Sequence, residues 1–94
     1  MNLAQSYLNL KQYNLAISNC DYALRLDSNN TKAIFRRGKA NYSLRKFDEA
    51  KKDFAEVVAK DPSNTLAAKQ IAVVDKAIAL EKQKEKQMYA KMFS

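Results

Sequence analysis

The sequence repeats itself with a period of 34 residues, and this repeat limits the possible folds more than any other feature. Residues that recur unchanged at this offset include Ala16 and Ala50, Asp27 and Asp61, Asn30 and Asn64, Thr31 and Thr65, and Ala33 and Ala67. A repeat of this length is one supersecondary unit that buries its apolar face by stacking on a neighbouring unit. The sequence therefore predicts stacked copies of one unit.

The composition predicts that the unit is helical. The 94 residues include one Gly and one Pro, and Ala, Leu and Lys, which favour helices, are abundant. Segments 2–10 and 13–26 predict one hairpin of two helices, with a tight connection near Lys11 and Gln12. Segments 31–44 and 47–60 predict a second hairpin. Each helix pair would pack closely, because small residues such as Ala16 and Ala50 recur.

The last third of the chain predicts one long helix. Asp61 and Pro62 end the second hairpin, because Pro cannot continue a helix. From Thr65 to about Phe93, apolar residues at steps of four, three and four form a seam that can cap the preceding hairpin: Ala67, Ile71, Val74 and Ile78. Charged residues then interrupt the seam, so we expect the helix to leave the packed part of the chain near Leu80.

These features resemble the tetratricopeptide repeat proteins, whose period is about 34 residues. The resemblance covers residues 2 to about 64. It implies an all-α fold of tetratricopeptide helical hairpins with a long C-terminal capping helix. The expected division is a partial hairpin with a truncated first helix at 2–30, a complete hairpin at 31–64 and an extended helix at 65–94.

A stripe of like charge lies on the third predicted helix. Lys32, Arg36 and Lys39 share one helical face, and like charges at this spacing repel by about 0.2–0.5 kcal/mol per pair. Residues 31–60 hold nine basic and four acidic side chains, so much of the net charge of +7 lies there. The stripe is either a solvated surface or a binding site for an acidic group.

In the repeat family, the first helix of each hairpin lines a concave groove. The stripe is similar to the two-carboxylate clamp of co-chaperone tetratricopeptide domains, which binds the C-terminal Met-Glu-Glu-Val-Asp peptide of heat-shock protein 90 or 70. The resemblance assigns Asn2, Lys32 and Arg36 to the clamp. We expect Lys39 and Arg37 to be accessory charge or solvated surface, with Lys39 the better candidate for an accessory role in the groove. The Lys and Asn of the family's first hairpin have no counterpart, so we expect an incomplete clamp and weak binding.

The order of these segments, ending in "KQMYAKMF", resembles the C-terminal part of the large immunophilins, of the FKBP type or the forty-kilodalton cyclophilin type. This resemblance implies a cytoplasmic or nuclear protein. It also implies a peptidyl-prolyl isomerase domain and one more repeat before Met1. We expect no isomerase activity from these 94 residues.

An alternative function concerns the C-terminal helix. This segment is basic and amphipathic, with Met88, Met92 and Phe93 as apolar anchors, which suits capture by calmodulin or another partner; the alternative is a solvated extension of the cap. A separate expectation is self-association, because the first helix carries the apolar residues Leu3, Tyr7 and Leu8.

Other functions have little support in the sequence. There is no His and one Gly, which argues against a catalytic site, a phosphate-binding loop, a cofactor or a metal centre. Aromatic residues do not alternate with the cations, so nucleic-acid binding is not expected. No apolar run reaches the length of a membrane span, so we expect no membrane partner. The single cysteine, Cys20, is predicted to be a small buried residue between helices.

Overall fold

The computed structural model describes the backbone of residues 3–93 and the side chains of residues 10–92. Within that range the chain forms four helices and no strand: α1 (Leu3–Leu26), α2 (Thr31–Ser43), α3 (Phe47–Lys60) and α4 (Thr65–Phe93). Each helix packs on the next one in chain order. The predicted all-α fold is confirmed.

The turns before α2 and α4 have the same geometry, 34 residues apart. The Asn30 side-chain oxygen accepts a hydrogen bond from the backbone N–H of Ala33 at 3.1 Å. The Asn64 side-chain oxygen accepts from the N–H of Ala67, also at 3.1 Å. Such a cap stabilises a helix by about 1 kcal/mol. The repeated Asn residues thus determine where both helices begin.

The hairpin of α2 and α3 is closed by a short connection at Leu44, Arg45 and Lys46. Arg45 has a φ of 63°, in the left-handed region that costs a non-glycine residue about 1 kcal/mol. The N–H groups of Arg45 and Lys46 donate to the carbonyl oxygens of Tyr42 and Asn41 at 3.0 and 2.8 Å. These bonds satisfy two carbonyl groups at the end of α2 and, together with the packing of α2 on α3, offset the backbone cost.

The core lies between α2, α3 and α4. One buried cluster joins the three helices through Ile34, Val57 and Ala67. A second cluster has Phe54 at its centre, with Ala50 and Val74. Ile71, Val74 and Ile78 of α4 all pack in the second cluster, so the seam predicted for this helix covers the hairpin.

The first hairpin differs from the prediction. The structure has one continuous helix, α1, where we expected a connection near Lys11 and Gln12. Segment 10–13, Leu-Lys-Gln-Tyr, closely resembles segment 44–47, Leu-Arg-Lys-Phe, which forms the turn. None of these residue types breaks a helix. A turn here would place residue 11 in the left-handed backbone region, as the second turn places Arg45. Tertiary packing would therefore have to offset the free energy that this backbone conformation costs.

The single glycine marks the closest approach of α2 and α3. A Cβ atom at Gly38 would lie 2.8 Å from Cε1 of the Phe54 ring, and Phe54 is fully buried. Such overpacking costs about 1–3 kcal/mol, whereas replacing Gly by Ala within a helix otherwise gains about 1 kcal/mol.

We predict that Gly38→Ala lowers the free energy of unfolding by up to about 2 kcal/mol, because the clash outweighs the gain in helix propensity. Urea unfolding followed by circular dichroism measures it. Ala55→Gly, on the exposed face of α3, is the control for propensity alone. Gly38→Ala could instead raise the free energy of unfolding by as much as Ala55→Gly lowers it. Helix propensity would then account for the whole effect, and Phe54 would not restrict this position.

Candidate functional site

The predicted cations lie together on the exposed face of α2. Lys32, Arg36 and Lys39 are all exposed, and they line adjoining cavities. Arg36 borders three cavities, of about 440, 220 and 170 Å³. Lys32 borders the two smaller ones, and Lys39 the first. The structure therefore brings the three cations together on a concave surface.

Lys32 and Arg36 are available to an external anion. Among the described residues, no hydrogen bond or ion pair involves either side chain. Lys39 differs, because its ammonium lies 5.8 Å from the centroid of the Phe35 ring. That contact holds Lys39 beside the same face, where it adds positive charge to the surface around Arg36.

The third predicted clamp residue, Asn2, lies outside the described residues. The first described residue, Leu3, is 17 residues before Cys20, so it lies about 26 Å from Cys20 along the axis of α1. Cys20 and Arg36 border the same cavities. The length of α1 therefore separates Leu3 from the cations of α2.

Sequence reasoning was wrong about Arg37, which we expected to be accessory charge or solvated surface. Its Nη2 and Nε atoms donate to the Asp53 carboxylate at 2.8 to 3.2 Å, and its Nη1 donates to Asp21 at 2.8 Å. Asn41 also donates to Asp53, at 3.0 Å. The Asp53 side chain is only 7% exposed. One guanidinium therefore ties α2 to both α1 and α3.

One sequence signal could have identified this network. Asp53 lies directly before Phe54, on the apolar face of α3, where an unpaired carboxylate would be costly. The search for a partner cation then leads to α2. The hydrogen bonds that Arg37 donates to Asp53 raise the pKa of Arg37 above its ordinary value. The hydrogen bond to Asp21 raises it further, by less. Arg37 is thus charged at every accessible pH.

Cys20 is buried, as predicted. Burial raises the pKa of its thiol above the ordinary value. A neutral buried thiol is a poor nucleophile. Cys20 therefore serves in packing between α1 and α2. No cluster of potential metal ligands occurs within the described range.

The end of α4 extends into solvent. Ile78 is the last residue of α4 in the core, and Glu81 pairs with Arg45 of the α2–α3 connection. Residues 82–92 are all exposed, including the predicted anchors Met88 and Met92. The side chain of the third anchor, Phe93, lies outside the described ones. Tyr89, which sequence reasoning omitted, is also exposed beside Met88 and Met92.

The fold and its repeated turns define a class of protein. One tetratricopeptide repeat model matches residues 1–30 and a second matches residues 31–64. The two matches together span more than half of the chain, so the chain belongs to the tetratricopeptide repeat proteins. Such a repeat domain is a protein-interaction module. In the part of the chain that the structure describes, no helix is long and apolar enough to cross a bilayer.

The chain is homologous to a region of the FKBP-type immunophilins, as the sequence predicts. It is 45% identical over 93 residues to the peptidyl-prolyl cis-trans isomerase FKBP4 of Bos taurus, covering 99% of this chain and 20% of that protein. It is 34% identical over 93 residues to FK506-binding protein 59 of Drosophila melanogaster, with 99% and 21% coverage. The chain thus spans about a fifth of the length of these relatives.

Solved structures show the same fold. The first tetratricopeptide repeat domain of Spaghetti (RPAP3), bound to the HSP90 peptide SRMEEVD, is 38% identical with a TM-score of 0.71; the match covers 81% of this chain and 60% of that one. The first such domain of human RPAP3 is 36% identical with a TM-score of 0.74. This match covers 85% of this chain and 63% of that one.

Removal of the Asp53 carboxylate leaves the Arg37 guanidinium partly buried without its main partner. We predict that Asp53→Ala lowers the free energy of unfolding by about 3 kcal/mol, as for other broken buried pairs. Urea unfolding measures the change. Lys51→Ala is the matched control, because it breaks an exposed pair with Asp75 and should cost less than about 1 kcal/mol. Equal effects would contradict a structural role for the Arg37 network.

Proposed function

We propose that this chain forms part of a groove that binds the acidic C-terminal peptide of heat-shock protein 90 or 70. The observation that carries the proposal is the pair of unpartnered, exposed cations Lys32 and Arg36, four residues apart on one face of α2. The peptide ends in two carboxylates, those of the main chain and of the Asp side chain. Two cations on one concave surface match that pair of charges.

The chemistry of the two side chains suits this ligand. Arg36 offers a planar guanidinium that can donate two parallel hydrogen bonds to one carboxylate. Lys32 supplies a compact charge that can donate to the other. Asn2 is the proposed amide donor of the same site. The likeness to a domain bound to the HSP90 peptide SRMEEVD, at 38% identity, supports this ligand.

The proposed site is weak in this chain alone. Two of the five donors in the clamp of the family have no counterpart here, and charge-assisted hydrogen bonds contribute about 1.5–3 kcal/mol each. Their absence removes about 3–6 kcal/mol, which is at least about a hundredfold in affinity. The proposed complete site includes donors from a further repeat ahead of residue 1.

We also propose that a longer protein containing these residues carries an isomerase domain. The support is the name and length of FKBP4, of which this chain covers 20%. The coding sequence upstream of Met1 tests it directly, since a reading frame without such a domain contradicts the proposal.

We predict that titration with Met-Glu-Glu-Val-Asp shifts the backbone amide NMR signals of residues 31–40, and that Lys32→Ala or Arg36→Ala weakens binding by about tenfold or more, because each removes a charge-assisted hydrogen bond. Lys52→Ala, on the exposed face of α3, removes the same charge elsewhere. A peptide with an amidated C terminus should also bind less. Equal affinities for Lys32→Ala, Arg36→Ala and Lys52→Ala would show that net charge, not this site, attracts the peptide.

A second candidate function uses the exposed end of α4. Met88, Tyr89 and Met92 project from a basic helix that is free of the core, and amphipathic helices of this kind bind calmodulin. This candidate and the groove involve different helices, so their tests are independent.

We predict that calcium-loaded calmodulin binds the chain and that the double substitution Met88→Ala, Met92→Ala abolishes binding, because it removes two apolar anchors. Fluorescence anisotropy of labelled calmodulin measures it. Leu80→Ala is the matched control, since Leu80 is an exposed apolar residue of α4 before this segment. No binding by the unsubstituted chain would refute this function.

A further inference from the structure

The exposed side of α4 carries large apolar side chains at intervals of seven residues. Leu66, Val73 and Leu80 are 61%, 42% and 58% exposed. Seven residues are close to two turns of a helix, so the three side chains form one line about 21 Å long. This line is distinct from the buried seam of α4, which packs on the second hairpin. We call these three residues the α4 stripe.

The α4 stripe faces the same side of the molecule as the cations of α2. A shift of 34 residues places Leu66 at the position of Lys32 and Val73 at that of Lys39. Both helices begin at equivalent asparagine caps, so equivalent positions point the same way. Leu66 and Lys32 border one cavity of about 170 Å³, together with Phe35. The apolar line and the cations therefore lie side by side on one concave surface.

Apolar side chains are unexpected on the outer face of this helix. The last helix of a stacked-repeat fold normally presents a polar face, because that face meets water. Aligned and exposed apolar residues instead form a patch of the kind that marks an interaction site. Side chains seven residues apart are also the seam along which two helices pack on each other. The α4 stripe is therefore suited to a helical partner.

Positive charge borders the α4 stripe. Lys69 and Lys76 follow the first two members of the stripe by three residues, so they line one edge of it. Both are exposed, and neither has an ion pair within the part of the chain that the structure describes. The sequence of α2, across the other edge, has no acidic residue. In α4 as far as Leu80, the acidic residue is Asp75, whose carboxylate pairs with Lys51 of α3 at 2.8 Å.

We propose that the α4 stripe binds an amphipathic helix of a partner protein, with apolar residues along one face of that helix and acidic residues on its flanks. The apolar side chains of the partner cover the stripe, and its carboxylates lie beside Lys69 and Lys76. Such charge complementarity selects the partner and speeds association. A second copy of this chain is disfavoured, because two paired stripes bring the lysines of both copies to one interface without acidic partners.

This site goes beyond the proposed function. The proposed clamp recognises a free C-terminal carboxylate through Lys32 and Arg36, whereas the α4 stripe recognises the side of a folded helix. A ligand with a blocked C terminus therefore tests the stripe without the clamp.

The probe is a synthetic helix of about three heptads, with Leu at positions a and d, Glu at e and g, and both ends blocked. Repulsion between its Glu side chains keeps the probe from pairing with itself. Isothermal titration calorimetry measures its affinity for the unsubstituted chain, and we expect binding with one probe per chain.

The apolar contact is tested by the stripe variant, Val73→Gln, Leu80→Gln. It should bind the probe at least about tenfold more weakly, because two apolar anchors are lost. The matched control is the α1 control, Leu15→Gln, Leu26→Gln, which replaces exposed apolar residues of another helix. Its affinity should equal that of the unsubstituted chain. Gln favours helices and all four positions are exposed, so both variants should fold, which circular dichroism checks.

The charge contact is tested by the lysine variant, Lys69→Gln, Lys76→Gln. At low salt it should bind the probe about fivefold more weakly than the unsubstituted chain, since exposed ion pairs are individually weak. The difference should vanish near 1 M salt, where charges are screened beyond about 3 Å. Lys82→Gln, Lys86→Gln is the matched control, because it removes the same charge from the exposed end of α4 and should bind as the unsubstituted chain does.

Four results would overturn the proposal. The first is no binding of the probe by the unsubstituted chain, and the second is an equal loss for the stripe variant and the α1 control. The third is an equal loss for both pairs of lysines, which would show that net charge alone attracts the probe. The fourth is a dimer in sedimentation velocity that the stripe variant dissociates, since a second copy would then cover the stripe. Binding of Met-Glu-Glu-Val-Asp is measured separately, so either proposal can fail without the other.

Discussion

The positions of three helices depend on the guanidinium of Arg37. It donates two hydrogen bonds to one oxygen of Asp53 on α3 and reaches Asp21 on α1. A forked contact restricts angle as well as distance. Successive residues of a helix differ in direction by about 100°, so the adjacent Arg36 faces the cavities instead. Two neighbouring arginines thus have different roles: Arg37 fixes the fold, and Arg36 is available to a ligand.

The second hairpin is well specified because local and tertiary preferences agree there. The Asn30 and Asn64 caps begin α2 and α4 at equivalent places. Between them, Gly38 allows α2 to approach the buried Phe54 ring, and that contact offsets the left-handed backbone of Arg45. Agreement between levels of structure is what makes one conformation dominate.

The first hairpin shows the opposite case. Segments 10–13 and 44–47 have nearly the same residue types, yet one lies within a helix and the other is a turn. Local preference is therefore the same in both, and packing is what differs. Phe54 gives α2 a large ring to pack against, whereas Cys20 offers the equivalent segment much less. Without sufficient packing, the cost of a left-handed residue 11 is not repaid and the helix continues.

The sequence by itself determined the helical class, the 34-residue period, the starts of α2 and α4 and the shared face of Lys32 and Arg36, because these follow from propensity, capping and the periodicity of one helix. Only the tertiary structure decided that Arg37 turns inward, since its partners lie on two other helices. It also decided that α1 is continuous, because a turn there depends on packing. Contacts between distant segments leave no periodic pattern within a single helix. The sequence of α1 or of α2, taken alone, therefore could not reveal these contacts.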